Sequence, residues 1–415
     1  MGCLSILCTA LFIFSFLSLA KSQTHRQVSF ENSPGKQEIS SAKTKLDLKH
    51  IFHLGSPQDL HQGGTSLPDG NVFKLMTVPQ ASQKTQNTQK EIDFQLLQKH
   101  IDTGGLMAFE SPNENVLRLR KSILNLAKMA EHAYDPLPST PWEDMEPGWH
   151  VNTSFGWNEK SVRGYVFSDQ DSKVLIISFK GTTLTFLPGD GGATVPRDKE
   201  SDNLMFSCCY GDAMSWTQKD SCSLGNNICS QGCLEDHINA NTTYYHGAQL
   251  IYDAVVTKYG HENIMLVGHS LGGSLAALVG LANKKPAFTF EAPGEKLYAH
   301  RLGIDSTEND RKPYIFHHGH NADPLFLGTC NGKMSLCYLA GYGMDSKCHT
   351  STSCVFDTVE GLNWSESLLH HRITDVVGKI YEGWSDGTLE IDSYCKSNRN
   401  CTDCSDWEYA RPPSK

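Results

Sequence analysis

Asn263-Ile-Met-Leu-Val-Gly-His-Ser-Leu-Gly-Gly-Ser-Leu-Ala-Ala-Leu-Val-Gly-Leu-Ala282 decides how the chain is read. Ile264 to Val267 is a short apolar run of strand character. Gly268-His269-Ser270-Leu271-Gly272 is a tight turn, and the Leu/Ala-rich run after it has helix composition. Strand, G-x-S-x-G and helix are the context of a nucleophile elbow. Small residues two before and two after the serine keep strand and helix from colliding with it. The seryl oxygen then stands above the sheet at a helix N-terminus, whose N–H groups favour developing negative charge. The plain alternative is a Gly-rich turn carrying an ordinary serine.

The chain has 415 residues and 39% hydrophobic content, enough for a large core. A net charge of −10 with no basic stripe argues against nucleic acid as a partner. Protonating all 18 histidines would bring −10 to +8 before any carboxylate titrates, so the charge can change sign in an acidic compartment.

Residues 1–20 carry no charged side chain and read as a secretory signal or a single membrane anchor. Ser18-Leu19-Ala20 is a candidate cleavage site. Gly2 fits myristoylation, but Ile6 stands where Ser or Thr is wanted. Of the 14 cysteines, Cys3 and Cys8 lie in this leader. The others, from Cys208 to Cys404, read as disulfides after an ER-entry signal, with connectivity open. Zinc is the rival, because Cys401-x-x-Cys404 and Cys229-x3-Cys233 have tolerable ligand spacing. Sequons at Asn152, Asn241, Asn363 and Asn400 point to lumenal exposure and surface positions.

Residues 21–110 are mostly polar, with a flexible-looking Gln80 to Lys90 and one alternating strand near 46–53. The spacing predicts a helix from Asn115 to Tyr134, ended by Pro136 and Pro138. Strands follow at Arg163–Ser168 and Lys173–Phe179, the second leading into Lys180-Gly-Thr-Thr183. Residues 184–237 have no strong periodicity but hold five cysteines; they read as an insertion over the active face, either a lid using Leu184, Phe186 and Leu187 or a stapled loop. Trp216 fits simple packing. A helix at Asn241–Tyr259, strands at Pro286–Glu291 and Lys312–His318, and a last helix at Ser365–Trp384 complete an α/β pattern. A catalytic domain over 111–390 and a Cys-containing tail over 391–415 follow from this, with no internal repeat.

A seryl nucleophile needs a base and an orienting acid, here in the chain order Ser, acid, His. Asp323 follows the strand in Tyr314-Ile-Phe-His-His-Gly-His-Asn-Ala-Asp323-Pro324; Asp305, Asp310 and Asp345 are rivals in less structured contexts. His371 is the candidate base, with His370 beside it. His317, His318 and His320 come too early. Their clustering invites a metal reading, but solvated or core-satisfied histidines are preferred, and no metal or cofactor is expected. The oxyanion hole would use the N–H of Leu271 and a donor from Thr182, where Gly181 allows close approach.

Lys180-Gly-Thr, Gly-His-Ser-Leu-Gly-Gly and Phe288-Thr-Phe-Glu-Ala-Pro-Gly294 resemble class 3 lipases. Leu48-Lys-His-Ile-Phe-His53, Phe206-Ser-Cys-Cys209, His320-Asn-Ala-Asp-Pro-Leu-Phe-Leu-Gly-Thr-Cys-Asn-Gly332, the stretch from Cys348-His349 to Cys354-Val-Phe-Asp357, and His371-Arg-Ile373 extend the likeness to fungal autophagy-related vacuolar lipases, over residues 46–383 in order. The resemblance implies an α/β-hydrolase fold of the class 3 lipase type, with the Cys-rich insertion between the oxyanion strand and the elbow. It implies Ser270, Asp323 and His371 as the charge relay. It also implies a type II membrane glycoprotein that passes through the ER and Golgi to multivesicular bodies and the vacuole. There it would hydrolyse phospholipids of autophagic bodies and other vesicles, with lipid bilayers as partner. The missing basic residues before the leader leave anchor against cleaved signal open. The alternatives are a secreted triacylglycerol lipase or carboxylesterase, and a silent hydrolase fold used for binding. A histidine of ordinary value, about 6.5, is mostly protonated near pH 5, so burial of the base or reduced turnover is expected in an acidic lumen.

Overall fold

The computed structural model describes residues 76–77, 92–135, 149–157, 161–169, 174–183, 194–211, 221–260, 263–305 and 314–411. The chain divides into two units, and every described residue lies in the second, Leu48–Lys415. The leader, the strand at 46–53, Gln80 to Lys90, Pro136, Pro138, Leu184, Phe186, Leu187, Trp216 and Asp310 lie outside the described residues.

In chain order the strands are β1 (Met76–Thr77), β2 (Trp149–Phe155), β3 (Gly164–Asp169), β4 (Leu175–Phe179), β5 (Ser223–Gly225), β6 (Ile228–Ser230), β7 (Ile264–His269), β8 (Ala287–Phe290), β9 (Ile315–His320), β10 (Thr352–Phe356), β11 (Ser393–Ser397) and β12 (Glu408–Ala410). Among the described residues, nine form one sheet in the order β1-β2-β3-β4-β7-β8-β9-β10-β11. From β4 to β10 the neighbours pair in parallel, while β1 to β4 and β10–β11 pair antiparallel. The parallel strands are buried along their whole length, as a sheet covered on both faces requires.

Side chains alternate between the two covered faces. Leu266 joins one core, with Ile177, Phe179, Leu275 and Ile251. Met265 and Val267 join the other, with Ile123, Leu126, Phe288 and Trp384. Helices carry each core. They are α1 (Phe94–Asp102), α2 (Glu114–His132), α3 (Val195–Phe206), α4 (Gln231–Ile238), α5 (Tyr244–Tyr259) and α6 (Leu271–Asn283), with shorter turns after them. Asn113 caps α2 by accepting from the Val116 N–H, which places the helix start within two residues of the expected one.

The sequence pattern and the structure part in three places. Residues 194–211 and 221–238 carry regular structure: α3, the β5–β6 hairpin and α4. Helix α3 shows no apolar stripe because it buries Asp198, Ser201, Asp202 and Asn203. The last helix is broken. A 3₁₀ turn, Leu368–His371, is followed by extended Arg372 and then by helix from Ile373 to Asp386 with one widened turn, Val377–Tyr381. The stretch after residue 390 is also no loose tail: β11 pairs with β10 and β12 with β6.

All the cysteines from 208 to 404 form disulfides: Cys208–Cys404, Cys209–Cys229, Cys222–Cys233, Cys330–Cys337, Cys348–Cys401 and Cys354–Cys395. Cys229 and Cys233 belong to different bridges, as do Cys401 and Cys404, which removes both zinc pairs. Asn241, Asn363 and Asn400 are exposed. Among the described residues no helix is long and apolar enough to cross a membrane.

Candidate active site

Ser270 sits between β7 and α6 with φ 57° and ψ −134°, outside the regions an L-residue prefers. The bend exists because main chain packs against main chain around it. A Cβ on Gly272 would stand 2.1 Å from the Phe179 carbonyl oxygen, and one on Gly181 would stand 2.4 Å from that of His269. The first N–H groups of α6 have no carbonyl one turn back to bond.

The structure brings the three expected residues together. Ser270 Oγ is 2.8 Å from His371 Nε2, and His371 Nδ1 is 2.7 Å from Asp323 Oδ2. Asp323 Oδ1 accepts the Leu325 N–H at 2.9 Å, so Pro324 and the short helix after it fix the carboxylate. Burial alone would push the Asp323 carboxyl up; the charge and hydrogen bond of His371 outweigh it and hold the group below the usual carboxylate range. An ionised Asp323 accepts from Nδ1–H, which leaves the Nε2 lone pair facing the seryl hydroxyl.

The rivals are elsewhere. Asp345 accepts the Cys208 N–H, and Asp305 lines a cavity of about 620 Å³ that includes none of Ser270, His371 or Asp323. His370 stacks on Trp364. His317 pairs with Glu295 at 3.2 Å and with Thr289 at 2.9 Å. His349, with Nδ1 3.7 Å from Glu295, completes a buried group of ligand-type atoms, yet its Nε2 already bonds the Phe326 carbonyl. His318 packs among Phe109, Phe288, Phe290 and Tyr381.

Thr182 stands beside Ser270 on the wall of a cavity of only about 20 Å³, with Leu325, Cys337, Tyr342, Met344 and Leu368. Its hydroxyl donates to Asp202 at 2.7 Å. Burial, more than the neighbouring Asp198, pushes the Asp202 carboxyl well up. Asp198 accepts the Thr183 N–H at 3.0 Å and the Tyr244 hydroxyl at 2.8 Å. The Thr182–Thr183 loop is thus clamped from α3 through two carboxyl groups.

Three side chains near the site escaped the sequence reading. His269 lies in the elbow motif and Glu291 in the Phe288–Gly294 motif, so their positions were visible but their contacts were not. Tyr134 gave no signal. Its hydroxyl is 2.6 Å from His269 Nδ1.

A fold with this sheet order, elbow and Ser–His–Asp geometry defines an α/β-hydrolase equipped as a serine hydrolase. The chain belongs to the family whose members carry the name "Putative lipase ATG15". It is 36% identical over 358 residues to the Candida glabrata member, spanning 82% of this chain and 70% of that protein. It is 37% identical to the Saccharomyces cerevisiae and Eremothecium gossypii members, over 70% of this chain in each case. The chain spans 56% and 55% of their lengths. Among solved structures, Lip2 lipase from Yarrowia lipolytica is similar at 17% identity and a TM-score of 0.31, covering 57% of this chain and 77% of that one. Lipase II from Rhizopus niveus is similar at 15% identity and a TM-score of 0.30, covering 57% of this chain and 80% of that one. At such scores the likeness adds nothing to the sheet order and site geometry. No protein-family model matches the chain.

Proposed function

We propose that the chain is a serine lipase that hydrolyses phospholipid esters and so disintegrates autophagic bodies and other vesicles delivered to the vacuole. The observation that carries it is the relay of Ser270, His371 and Asp323, with Ser270 on a cavity walled by Leu325, Met344 and Leu368. Leu369 and Leu336, chain neighbours of the wall residues Leu368 and Cys337, are 58% and 70% exposed. Exposed apolar side chains beside an apolar-walled site suit a lipid surface better than dissolved solutes. The relatives' name supports the lipase reading and suggests the autophagic setting.

In this reading His371 Nε2 takes the proton of Ser270 while Oγ bonds the ester carbonyl carbon. The carbonyl oxygen, now negative, is held by the N–H groups of Leu271 and Thr182. Collapse expels the alcohol with the proton from His371. Water, deprotonated by His371, then releases the fatty acid and frees Ser270. Exposed sequons and the disulfide set support lumenal exposure, and residues 1–20 would supply the signal or anchor. Histidine protonation would draw the acidic chain to anionic membranes, though His100, His269 and His318, pushed down by burial to about 4, 3 and 3, do not take part near pH 5.

Product analysis on mixed phospholipid vesicles tests the proposal. Wild type should release fatty acid and lysophospholipid, and Ser270→Ala should release neither. Turnover of emulsified triglyceride or short soluble esters alone would instead favour the secreted-lipase reading, and vesicle lysis by Ser270→Ala would favour a binding protein.

A further inference from the structure

Glu291 follows β8 with φ 48°, a left-handed backbone that residues bearing a side chain disfavour. It is 1% exposed, and its N–H bonds the His318 carbonyl at 2.8 Å. An acidic residue is therefore held in the core on a turn that suits glycine.

The two carboxyl oxygens of Glu291 are poorly supplied. Oε2 accepts the His320 N–H at 3.3 Å. Oε1 has no donor among the described residues. His320 Nε2 lies 3.9 Å from it, but that nitrogen is directed at the His370 carbonyl, 3.0 Å away. A second carboxyl group, that of Asp323, is close enough for each to act on the other as a hydrogen-bond partner.

Two buried carboxyl groups that act on each other in this way cannot both be ionised. The donors decide which one holds the charge. Asp323 receives an N–H from Leu325 and one from His371, at 2.9 and 2.7 Å. Glu291 receives only the long one from His320. The charge belongs on Asp323 and the proton on Glu291.

The other groups facing Glu291 agree. Asp323 and His320 approach from β9 and the turn after it, and His371 stands behind Asp323. His318 meets it through the main-chain bond to the Glu291 N–H, and Tyr381 lies near enough to feel a charge on it. Neither His318 nor His320 offers a cation, because burial pushes both down. Burial first, and then the Asp323 charge, push the Glu291 carboxyl well up.

We infer that Glu291 is a positioning residue, held as a neutral acid whose O–H donates to Asp323 and extends the relay to four members. The inference rests on the triad reading. A donor on Asp323 fixes its carboxylate plane and draws off part of its negative charge. The carboxylate then favours the protonated form of His371 less, and the base stays available further into acid.

Two readouts test this on the full chain. The first is the infrared difference spectrum of wild type against Glu291→Gln at neutral pH. Wild type should show the C=O stretch of a protonated carboxyl that the variant lacks. The second is the profile of kcat/KM from about pH 4 to 8. Glu291→Gln keeps an N–H donor, and its acid limb should stay in place. Glu291→Leu has no donor, and its acid limb should move up by roughly half to one unit, a loss against wild type of up to about three- to tenfold at pH 5 when each profile is scaled to its own plateau. Should Glu291→Leu not fold, Glu291→Gly takes its place, since the left-handed turn accepts it. Absence of the carboxyl band in wild type overturns the inference. So does an acid limb that moves equally in the Gln and Leu variants, or in neither. Failure of the triad reading is distinct: Ser270→Ala would remain active, whereas the infrared result does not depend on turnover.

Discussion

His269 donates its Nε2–H to the main-chain carbonyl of His371 across 2.7 Å. Burial pushes His269 down to about 3, so the ring is neutral; a carbonyl can only accept, which assigns the proton to Nε2. The other nitrogen, Nδ1, then accepts from Tyr134. The elbow thus holds His371 by its backbone, and the turn after α2 holds the elbow through Tyr134. Tyr134→Phe should leave Nδ1 without its donor and destabilise the fold by about 1–3 kcal/mol in a denaturant titration. Turnover should fall with KM little changed, because the loss falls on the placement of His371.

The strained turn at Ser270 predicts a trade between stability and activity. Ser270→Gly should be inactive, losing roughly 10⁴- to 10⁶-fold as other seryl nucleophiles do. It should nonetheless unfold at a higher temperature than Ser270→Ala, because glycine adopts φ 57° without the side-chain clash. Calorimetry of the two variants side by side decides the point. Equal melting temperatures would mean the turn stores no strain.

His318 is a buried ring with neither nitrogen bonded among the described residues, and burial pushes it down to about 3 from 6.5. The unfolded chain takes up a proton there from about pH 6.5 downward, while the folded chain refuses it until about pH 3. The fold is therefore undisturbed by this group above pH 6.5 and loses stability as the pH falls between those values. The loss is about 2 kcal/mol at pH 5. His318→Phe keeps a ring of similar size and removes the penalty. Its gain in melting temperature should be larger at pH 5 than at pH 7.5, and a gain independent of pH would show that packing alone is responsible.

The cavity over Ser270 holds about one water molecule at about 20 Å³, too little for an acyl chain. Leu368, half-buried, forms part of its wall. Leu368→Ala should raise turnover of short soluble esters several-fold and leave hydrolysis of packed vesicles less changed. Kinetics on a soluble ester and on vesicles, run in parallel, measure the difference.

The central sheet was legible because parallel strands buried on both faces leave apolar runs, as in Val174-Leu-Ile-Ile-Ser-Phe179 and Ile264 to Val267. The elbow, Asp323 and His371 were legible because strand ends and chain order constrain them. Helix α3 was not, because Asp198, Ser201, Asp202 and Asn203 are buried along with Leu204, Met205 and Phe206, and those polar residues read as solvent-exposed until their partners are known. The break at Arg372 was hidden by helix-forming residues on both sides; bonds from distant residues, including His269 to His371, set it. The neighbourhood of Glu291 and Asp323 joins positions far apart in the chain, and no local pattern encodes it.

Helix α3, which brings Asp202 against Thr182, ends just before Cys208, and Cys208 is joined to Cys404 across 196 residues. On the ribosome Cys208 therefore waits for its partner until Ser270, Asp323 and His371 have all been made. Closing that bond is a late step, and it needs an oxidant. A chain retained in a reducing cytosol could still line up Ser270, Asp323 and His371, but the helix beside Thr182 would lack its covalent anchor. The order of synthesis and the redox state of the compartment together time when the active site is finished.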